Sequence, residues 1–502
     1  MNMPVKTVQE WTKYSTTISW PKAMIIDGKP RAARDDSYVA LVTPRDGSTV
    51  TQVPYASATD MDDAVAAARR AFDDGPWPRM APKERKELLL AWVALMELNR
   101  TELAMMLSIE MGKPISDAWG IELRALINTY KWYAEIADKE LDEISNVGGD
   151  DLALITREPV GVVAVVTPWN FPLTLSAWKI APALAVGCTV VHKPADLTPL
   201  TAVRIAELAL EAGIPAGVFN VLPGRGSVIG KGLGLHLGVD SLAFTGSTEV
   251  GRAYMEYAAQ SNLKRVWLEL GGKSANIILP DAPNLQEAID TAAWGIFFNS
   301  GQMCTAPSRL ILHKDIAEEV IAGVLAASRN FQPGDPFDPD TQMGPLASMS
   351  RRGEVQAHVD RALADGSTLA TGGHSVDLGA PLTGGAYYEP TVFVDVHPDS
   401  ALAQEEVFGP VLSVITVDNE DEAIRVANNS DYGLAAGLWA GSVSRVHKLS
   451  RQLRAGTVWV NCYEEGDLTV PFGGFKMSGN GRDKSRHALD KYTEMKTTYI
   501  KL

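Results

Sequence analysis

The stretch from residue 161 to residue 270 alternates short apolar segments with helical patterns, and this alternation restricts the possible fold more than any other feature. Its first segment, Gly161-Val-Val-Ala-Val-Val166, is apolar at nearly every position, which is typical of a strand buried on both faces. Strands of this kind separated by helices predict a parallel, doubly wound sheet. Such sheets bind ligands at the carboxyl ends of their strands, so we expect the functional residues there.

The same reading extends along the rest of the chain. Before this region it predicts short strands within 25–53, with turns at Asp27-Gly28 and Asp46-Gly47, and helices over 62–72, 83–98 and 102–111, the first capped by Thr59 and Asp60. Within it, the predicted strands are 161–166, 188–192, 218–222, 241–244 and 265–270, and the helices include one ending near 186 and one over 200–211. A second alternating region over 271–470 has predicted strands at 275–278, 308–312, 412–417 and 456–461.

Two segments fall outside these alternating regions. One is a polar, acidic insertion between residues 136 and 155, and the other is the tail from 493 to 502. Both could form edge strands that pair with another subunit. A solvated hairpin and a frayed terminus fit the same patterns equally well.

Length and charge limit the classes of function. A chain of 502 residues is too long for a single core to be the default, so two or more domains are expected. With 46% hydrophobic and 21% charged residues, the composition is that of an ordinary globular protein rather than a disordered one. The net charge of -15 repels phosphate backbones, which argues against a nucleic-acid partner.

The cysteine content and the apolar runs bear on the compartment. The chain has three cysteines that lie far apart, Cys188, Cys304 and Cys462, a sparse and odd set that suits a reducing compartment rather than a disulfide framework. Residues 1–17 contain no apolar stretch of the secretory type, and the most continuous apolar run, 160–166, is too short to cross a bilayer. We therefore expect a cytoplasmic protein with no membrane partner.

The segment Asn299-Ser-Gly-Gln-Met-Cys304 holds the cysteine best placed for chemistry. It is a glycine-containing loop between a helical pattern and a strand, where a thiol can face a cleft and be activated by backbone N–H groups. Cys188 and Cys462 lie in or beside apolar strand patterns, where a cysteine acts as a small buried hydrophobe.

Two further segments carry groups that could act with this thiol. Glu269, in Leu268-Glu-Leu-Gly-Gly272, ends an apolar strand, and burial would raise its pKa toward that of a base able to activate water. Asn170, in Thr167-Pro-Trp-Asn170, ends another strand, where its amide could donate a hydrogen bond to an oxyanion. Taken singly, a structural salt bridge and a turn residue are the ordinary alternatives.

A fourth segment, Phe244-Thr-Gly-Ser-Thr-Glu-Val-Gly251, reads as a turn between a strand and a helix. The first turn of a helix presents free N–H groups and the positive end of the helix dipole. Such a turn suits the pyrophosphate of a dinucleotide.

Together these segments resemble the motif series of the aldehyde dehydrogenase superfamily. The resemblance extends over nearly the whole chain, and its motifs occur in the family's order: Thr167-Pro-Trp-Asn170, Lys193-Pro-Ala-Asp196, Phe244-Thr-Gly-Ser247, Leu268-Glu-Leu-Gly-Gly272, Gly301-Gln-Met-Cys304, Glu405-Glu-Val-Phe-Gly-Pro410 and Pro471-Phe-Gly-Gly-Phe-Lys476. It implies an α/β fold with a doubly wound coenzyme domain (1–135 and 156–270), an α/β catalytic domain (271–470) and a small β oligomerisation element (136–155 and 485–502). It also implies a homodimer or homotetramer.

The resemblance assigns roles residue by residue. It implies that Cys304 is the nucleophile, that Glu269 is the general base, and that Asn170 forms the oxyanion hole with the backbone N–H of Cys304. Lys179 matches a position implicated in proton relay. The positions that match cofactor contacts in the family are Thr167, Pro168, Trp169, Lys193, Asp196, Gly226, Gly246, Ser247, Glu406 and Phe408.

The implied reaction is the NAD(P)-dependent oxidation of an aldehyde to a carboxylic acid, through a cysteine thiohemiacetal and a hydrolysed thioester. A glutamate at the base position indicates hydrolysis rather than transfer of the acyl group to coenzyme A. Asp196 is one methylene shorter than the glutamate more usual in relatives that prefer NAD, yet its charge still repels a 2′-phosphate. NAD is therefore expected, NADP stays open, and no metal is expected.

The substrate is indicated by the segment from Gly466 to Glu494, which resembles the gamma-glutamyl-gamma-aminobutyraldehyde and guanidinobutyraldehyde branch of the family. An amino-, guanidino- or gamma-glutamylamino-aldehyde is therefore expected. The candidate substrate-binding residues are aromatic ones, which either line a tunnel or belong to the core, and acidic ones, which either attract a cation at its rim or form a solvated loop: Phe171, Trp178, Tyr463, Glu464, Glu465 and Asp467.

Two other functions fit the same motifs. One is a broad-specificity or betaine-type aldehyde dehydrogenase. The other, from a different class, is a catalytically silent relative that serves as a structural or binding protein. Such a relative could lose its reactive residues without penalty, so the presence of Cys304, Glu269 and Asn170 argues against it.

Overall fold

The computed structural model describes Met3 and residues 7–502, which form two seven-stranded sheets, a three-stranded sheet and a two-stranded hairpin. The strands are β1 (Met24–Ile26), β2 (Lys29–Arg31), β3 (Tyr38–Val42), β4 (Thr49–Pro54), β5 (Glu143–Ser145), β6 (Asp151–Pro159), β7 (Val162–Val166), β8 (Thr189–Lys193), β9 (Phe219–Val221), β10 (Ser241–Thr245), β11 (Arg265–Glu269), β12 (Ala275–Ile278), β13 (Arg309–His313), β14 (Thr368–Thr371), β15 (Thr391–Val394), β16 (Val411–Val417), β17 (Ala435–Trp439), β18 (Thr457–Val460) and β19 (Thr493–Lys501).

The helices surround these sheets. They are α1 (Val8–Ser15), α2 (Ala58–Asp73), α3 (Pro82–Leu98), α4 (Arg100–Met111), α5 (Ile115–Asp117), α6 (Leu123–Ile136), α7 (Pro172–Val186), α8 (Leu200–Glu211), α9 (Lys231–Leu235), α10 (Thr248–Ala259), α11 (Leu285–Phe297), α12 (Lys314–Ser328), α13 (Met349–Ala364), α14 (Ala401–Gln404), α15 (Glu420–Asn428) and α16 (Val443–Ser450). Within the described part of the chain, no helix is long and apolar enough to cross a membrane.

The first large sheet has the strand order β11-β10-β7-β8-β9-β1-β2, with β7 to β11 parallel. The chain leaves β7 for β8 on one side and returns to β10 on the other, so the order reverses between β7 and β10. Val163 and Val165 pack into one core cluster, whereas Val162 and Val166 pack into another on the opposite face. The predicted doubly wound sheet, buried on both faces, is confirmed.

The second large sheet has the order β14-β15-β16-β13-β12-β17-β18 and is parallel except for the β14–β15 pair. The sequence had indicated β12, β13, β16 and β18 but not β14, β15 or β17. The sequence of β17 is Ala-Ala-Gly-Leu-Trp, and that of β14 is Thr-Leu-Ala-Thr. Small or polar residues give a strand pattern too weak to recognise without its neighbours.

The acidic insertion and the C-terminal tail pair with each other in a three-stranded sheet of order β19-β6-β5. β19 pairs with β6 along its whole length, from Thr493 to Lys501, so the tail is a strand and is not frayed. β6 extends to Pro159, beyond the predicted boundary at 155. The outer strand carries exposed apolar side chains, with Met495 70% exposed and Tyr499 59% exposed.

One predicted helix start is wrong. α2 begins at Ala58, and its N-cap is Ser57 rather than Thr59 or Asp60. The Ser57 hydroxyl accepts a hydrogen bond from the backbone N–H of Asp60, whose carboxylate accepts one from the backbone N–H of Ser57. This reciprocal capping box makes Asp60 the third residue of the helix.

Candidate active site

The predicted catalytic residues come from facing edges of the two large sheets. Glu269 is the last residue of β11 and Asn170 follows β7, so both lie at the carboxyl edge of the first sheet. Cys304 lies in the loop before β13, at the amino edge of the second sheet. The structure brings these three residues, distant in sequence, to one cleft.

The loop that presents Cys304 has an unusual backbone. Asn299, Ser300 and Gly301 have φ of 51°, 56° and 70°, three successive residues in the left-handed region. A Cβ atom on Gly301 would lie 2.1 Å from the carbonyl oxygen of Gly409, so only glycine fits there. The side-chain amide of Asn299 donates to the carbonyl oxygen of Asn170 at 3.2 Å, which fixes this loop to the segment after β7.

The ionisation of Cys304 differs from the sequence-based expectation. Burial raises the pKa of its thiol, and the carboxyl groups of Glu464, Glu406 and Glu269 raise it further. The backbone N–H of Cys304 lowers the pKa, but its effect is the smallest of the five. Backbone N–H groups alone therefore do not activate the thiol, and its ionisation requires a base or added positive charge in the cleft.

Asn170 is buried and points its amide at the cysteine loop. Its Nδ2 donates to the carbonyl oxygen of Gln302 at 3.1 Å, whereas its buried Oδ1 has no hydrogen-bond partner among the described residues. A side-chain amide carries two N–H groups, so one remains for a ligand beside Cys304.

Glu269 is buried with both carboxylate oxygens lacking a hydrogen-bond partner within the described chain. Burial raises its pKa well above the ordinary value, Asp483 raises it further, and the cations Lys179 and Lys491 oppose both effects. A Cβ atom on Gly473 would lie only 2.8 Å from Glu269 Oε1, so the glycine allows the backbone to approach the carboxylate closely. Glu269 is thus a carboxylate with unused acceptor positions and a raised pKa.

A buried ionic cluster lies beside Glu269. Lys179 Nζ is 2.5 Å from Asp483 Oδ2, and Lys491 binds the other oxygen of the same carboxylate. Two cations on one anion favour the ionised form of Asp483, and they lower its pKa despite the opposing effect of burial. The resemblance implies a role for Lys179 but not for Asp483 or Lys491, because neither of these two lies in a motif whose chemistry is evident before folding.

A cavity of about 310 Å³ opens at the reversal point between β7 and β10, and we call it the switch-point cavity. Its lining contains six of the predicted cofactor positions together with Cys304 and Asn170: Pro168, Trp169, Asn170, Thr245, Gly246, Ser247, Leu270, Gly271, Cys304, Arg351, Glu406 and Phe408. The rings of Trp169 and Phe408 lie edge to face at 5.4 Å, on opposite segments of the lining.

The switch-point cavity fits a nicotinamide dinucleotide. Ser247 caps α10, so free N–H groups of a helix start lie at its wall, as a pyrophosphate requires. Position 271 must be glycine for Glu406 to approach the backbone this closely, since a Cβ atom there would clash with Glu406 Oε2. Glu406 Oε1 accepts a hydrogen bond from the backbone N–H of Gly272 at 2.9 Å, which leaves Oε2 to accept hydrogen bonds from the hydroxyl groups of a ribose. Burial raises the pKa of Glu406 to about 7.

The other four predicted cofactor positions lie along the same sheet edge but outside this lining. Thr167 follows β7, Lys193 ends β8, and Gly226 lies after β9. Lys193 Nζ is 2.6 Å from the carboxylate of Asp196, whose side chain is 41% exposed. These four residues lie along the edge of the sheet where the rest of an extended dinucleotide would bind, outside the switch-point cavity.

A second cavity, of about 250 Å³, also contains Cys304 in its lining, and we call it the aromatic cavity. Six aromatic side chains line it: Phe171, Trp178, Trp294, Phe298, Trp459 and Phe472. Phe171 and Trp178, which the sequence left as either lining or core residues, are two of the six. Tyr463 belongs to the core instead, packed against the Trp459 ring at 4.6 Å, with its hydroxyl donating to the carbonyl oxygen of Thr305.

The acidic residues divide between two cavities. Glu464 and Glu465 line the aromatic cavity, whereas Asp467 lines a wider neighbouring cavity, the outer cavity, which shares Trp178, Gly466 and Lys484 with it. Burial raises the pKa of Glu464 to about 7. Lys484 is a cation among these carboxyl groups, so the rim is not the purely acidic surface that the sequence suggested. In the sequence, the only indication that Lys484 lies at the site is its position directly after the Gly-Arg-Asp segment.

No group of three or more His, Cys, Asp or Glu side chains in the described ranges could hold a metal ion.

A family model for the aldehyde dehydrogenase family matches residues 31–498. The chain is 46% identical to the aminoacetaldehyde dehydrogenase of Pseudomonas aeruginosa, over 98% of both chains.

Two solved structures are close neighbours. The gamma-glutamyl-gamma-aminobutyraldehyde dehydrogenase from Burkholderia cenocepacia has a TM-score of 0.96 and 50% identity, over 99% of this chain and 100% of that one. The indole-3-acetaldehyde dehydrogenase of P. syringae, solved with NAD⁺ and IAA, has a TM-score of 0.97 and 47% identity, over the same shares. The fold expected from the sequence is confirmed.

Proposed function

This chain belongs to the aldehyde dehydrogenase family, and we propose that it oxidises an aminoaldehyde to the acid with Cys304 as nucleophile and NAD as cofactor. The observation that carries the proposal is that Cys304 lines two cavities at once. One fits a dinucleotide, and the other is an aromatic channel for a second molecule. An oxidation that joins a cofactor and an aldehyde at one thiol requires this arrangement.

In the first half of the reaction, the thiol proton of Cys304 passes to a base in the cleft, and Sγ forms a bond to the aldehyde carbon while the carbonyl electrons move to oxygen. The free N–H of the Asn170 amide and the backbone N–H of Cys304 are the donors for this oxyanion. A bound nicotinamide supplies the acceptor for hydride. Trp169, Phe408 and Glu406 would hold that ring and its ribose in the switch-point cavity.

In the second half, Glu269 accepts the proton of a water that attacks the thioester on Cys304. The raised pKa of Glu269 and its two unpaired oxygens suit a base, because a carboxylate already paired would be less basic. The carbon–sulfur bond then breaks and the acid leaves. Lys179, held by Asp483, is placed to oppose the desolvation of Glu269 and keep its ionised form accessible.

The preference for NAD rests on Asp196. Its carboxylate lies at the edge beyond the switch-point cavity, held by Lys193, where the resemblance places the adenosine ribose. A negative charge there repels a 2′-phosphate. The P. syringae relative was solved with NAD⁺, which supports the same choice.

The substrate class rests on the aromatic cavity. Relatives named for aminoacetaldehyde and for gamma-glutamyl-gamma-aminobutyraldehyde support an amino-group-bearing chain. Glu464 and Glu465 place carboxyl groups along the path of such a chain. The aromatic rings would contact its apolar part.

Steady-state rates test this function directly. The panel consists of amino-, guanidino-, gamma-glutamylamino-, betaine and plain aliphatic aldehydes, each with NAD and with NADP. We expect the highest kcat/KM among the first three and with NAD. Equal rates for all five aldehydes would support the broad-specificity alternative, whereas no oxidation of any would contradict the function itself.

The assembly and the division into domains are part of the proposal. The strands β5, β6 and β19 form a sheet of their own with exposed Met495 and Tyr499, and we assign it as the element that joins subunits into a homodimer or homotetramer. Residues 1–135 and 156–270 would form the coenzyme domain and 271–470 the catalytic domain. Light scattering should give a dimer or tetramer mass. The three free cysteines support a cytoplasmic location.

A further inference from the structure

Lys484 lies where the aromatic cavity opens into the outer cavity, and it lines both. Its Nζ is 5.5 Å from the centroid of the Trp178 ring and 6.0 Å from that of Phe472. Cation–π attraction at these distances favours a position over the rings rather than one in bulk water. A chain that reaches Cys304 from the outer cavity therefore passes this cation.

This ammonium group lacks a bound counter-ion in the described part of the chain, where no carboxylate oxygen lies within 4.0 Å of it. By contrast, the other lysines of the site are paired: Lys179 and Lys491 both bind Asp483. Burial lowers the pKa of Lys484, and the carboxyl groups of Glu464, Asp467 and Asp483 oppose this effect. Glu464 opposes it most, but burial raises its own pKa to about 7. Near neutral pH, Lys484 is therefore a half-buried cation that is only partly neutralised.

The backbone holds Lys484 in this place. Lys484 and Ser485 have φ of 61° and 48°, a left-handed pair that non-glycine residues adopt only when their surroundings enforce it. The backbone N–H of Ser485 donates to the carbonyl oxygen of Leu468 at 2.7 Å, and its own carbonyl accepts from the Tyr133 hydroxyl. The lysine is thus presented by an anchored turn, not by a mobile loop.

A partly neutralised cation in an aromatic channel attracts a carboxylate more strongly than one in water. A simple amino- or guanidino-aldehyde would bring its own cation against Lys484. An aldehyde with an amino-acid group at its far end brings a carboxylate as well, and its ammonium group could face Glu465 or Asp467. We propose that Lys484 binds a carboxylate at the far end of the substrate and so selects gamma-glutamylamino-type aldehydes, an inference that rests on the proposed function.

The experiment uses two matched pairs of ligands. In each pair the far end is either a free carboxylate or its primary amide; one pair consists of aldehydes, the other of the unreactive alcohols. Calorimetry gives Kd for the alcohols, and steady-state kinetics gives kcat/KM for the aldehydes. Lys484→Met keeps the length and apolar part of the side chain, Lys484→Arg keeps the charge, and Lys314→Met is a control at an exposed lysine that pairs with Asp418.

We expect the wild type to favour the carboxylate ligands over the amides by about tenfold, a typical effect of one partly shielded charge pair. Lys484→Met should remove this preference and leave the amides within about twofold, Lys484→Arg should retain most of it, and Lys314→Met should change neither. Equal losses for carboxylate and amide, or a preference that survives in Lys484→Met, would overturn the inference. The alcohols need no turnover, so their binding tests Lys484 separately, whereas failure to oxidise either aldehyde contradicts only the proposed function.

Discussion

The switch-point cavity and the aromatic cavity meet at Cys304 but are built differently. The first is formed largely by loops at strand ends, where glycines such as Gly246 and Gly271 bring the backbone close to a ligand. The second is formed by large side chains from α7, α11 and distant loops, with the charges of Glu464 and Lys484 among them. A backbone surface binds one ligand that every reaction shares, whereas a side-chain surface distinguishes between ligands. Changes in the first should therefore affect all aldehydes alike, and changes in the second should affect them unequally.

The largest expected effect is at the thiol that the two cavities share. Cys304→Ala removes the nucleophile, so oxidation of every aldehyde should fall by at least about a thousandfold. The measurement is reduced cofactor formed per active site. Cys462→Ala is the matched control, because Cys462 is partly exposed and lines neither cavity, and it should keep most of the activity. Substantial turnover by Cys304→Ala would reject the assignment.

The next effect is at Glu269, which should act on the thioester whatever the aldehyde. Glu269→Gln should lower steady-state turnover by roughly a hundredfold, since a general base contributes about that much. The raised pKa of Glu269 means that it is protonated, and inactive as a base, below that pKa. Wild-type turnover should therefore fall as the pH falls, and this acid limb should vanish in Glu269→Gln.

Stopped-flow kinetics separates the two halves of the reaction in the same variant. If Glu269 acts only on water, a burst of reduced cofactor should survive in Glu269→Gln. Loss of the burst would show that Glu269 also takes the thiol proton, which the raised pKa of Cys304 makes chemically necessary for some base. Unchanged turnover would contradict the base role.

The two cavities also differ in how far the sequence predicted them. Residues of the switch-point cavity follow strands of a parallel sheet, and the rule that ligands bind at carboxyl ends made positions such as Asn170 and Ser247 visible before folding. Their chemistry is carried by short motifs that stay contiguous in the fold. The same reasoning placed Glu269 correctly at a strand end.

The aromatic cavity was less predictable because its residues meet only after the domains pack. Trp294 lies in α11 and Phe298 directly follows this helix, and a stacked aromatic pair of this kind is typical of an ordinary core. Tyr463, three residues after β18, was a candidate lining residue but packs in the core, and Lys484, which the sequence did not single out, lines the cavity. Tertiary contacts determine which way a loop residue faces, and loops have no sequence periodicity from which this direction could be predicted. The strands β14 and β17 escaped prediction for a related reason, since their small and polar residues form a strand only beside their neighbours, whereas β15, Thr-Val-Phe-Val, has a strand-forming sequence of its own that was missed.

A matched pair of substitutions tests the comparison itself. Glu406 and Glu464 are buried glutamates with pKa values raised to about 7, one in each cavity. Glu406→Gln should raise the KM for NAD by roughly tenfold or more, because hydrogen bonds to a charged group contribute roughly 1.5–3 kcal/mol. The ratios of kcat/KM between aldehydes should stay as in the wild type. A change in those ratios would mean that the switch-point cavity also contributes to the choice between aldehydes.

Glu464→Gln should do the reverse, with the smallest effect of the series. It should leave the KM for NAD unchanged and raise the KM for a cationic aldehyde several-fold, since a single partly screened charge contributes on the order of 1 kcal/mol. An uncharged aliphatic aldehyde should be unaffected.

Because the pKa of Glu464 is raised to about 7, its carboxyl group is neutral below that pH and charged above it. The wild-type preference for the cationic over the uncharged aldehyde should therefore grow between pH 6 and pH 8, stay flat in Glu464→Gln, and weaken as salt rises. Equal changes for both aldehydes would show that Glu464 affects the shape of the channel and does not distinguish charged from uncharged substrates. Lys484 would then be the only charged residue that gives the aromatic cavity its proposed selectivity.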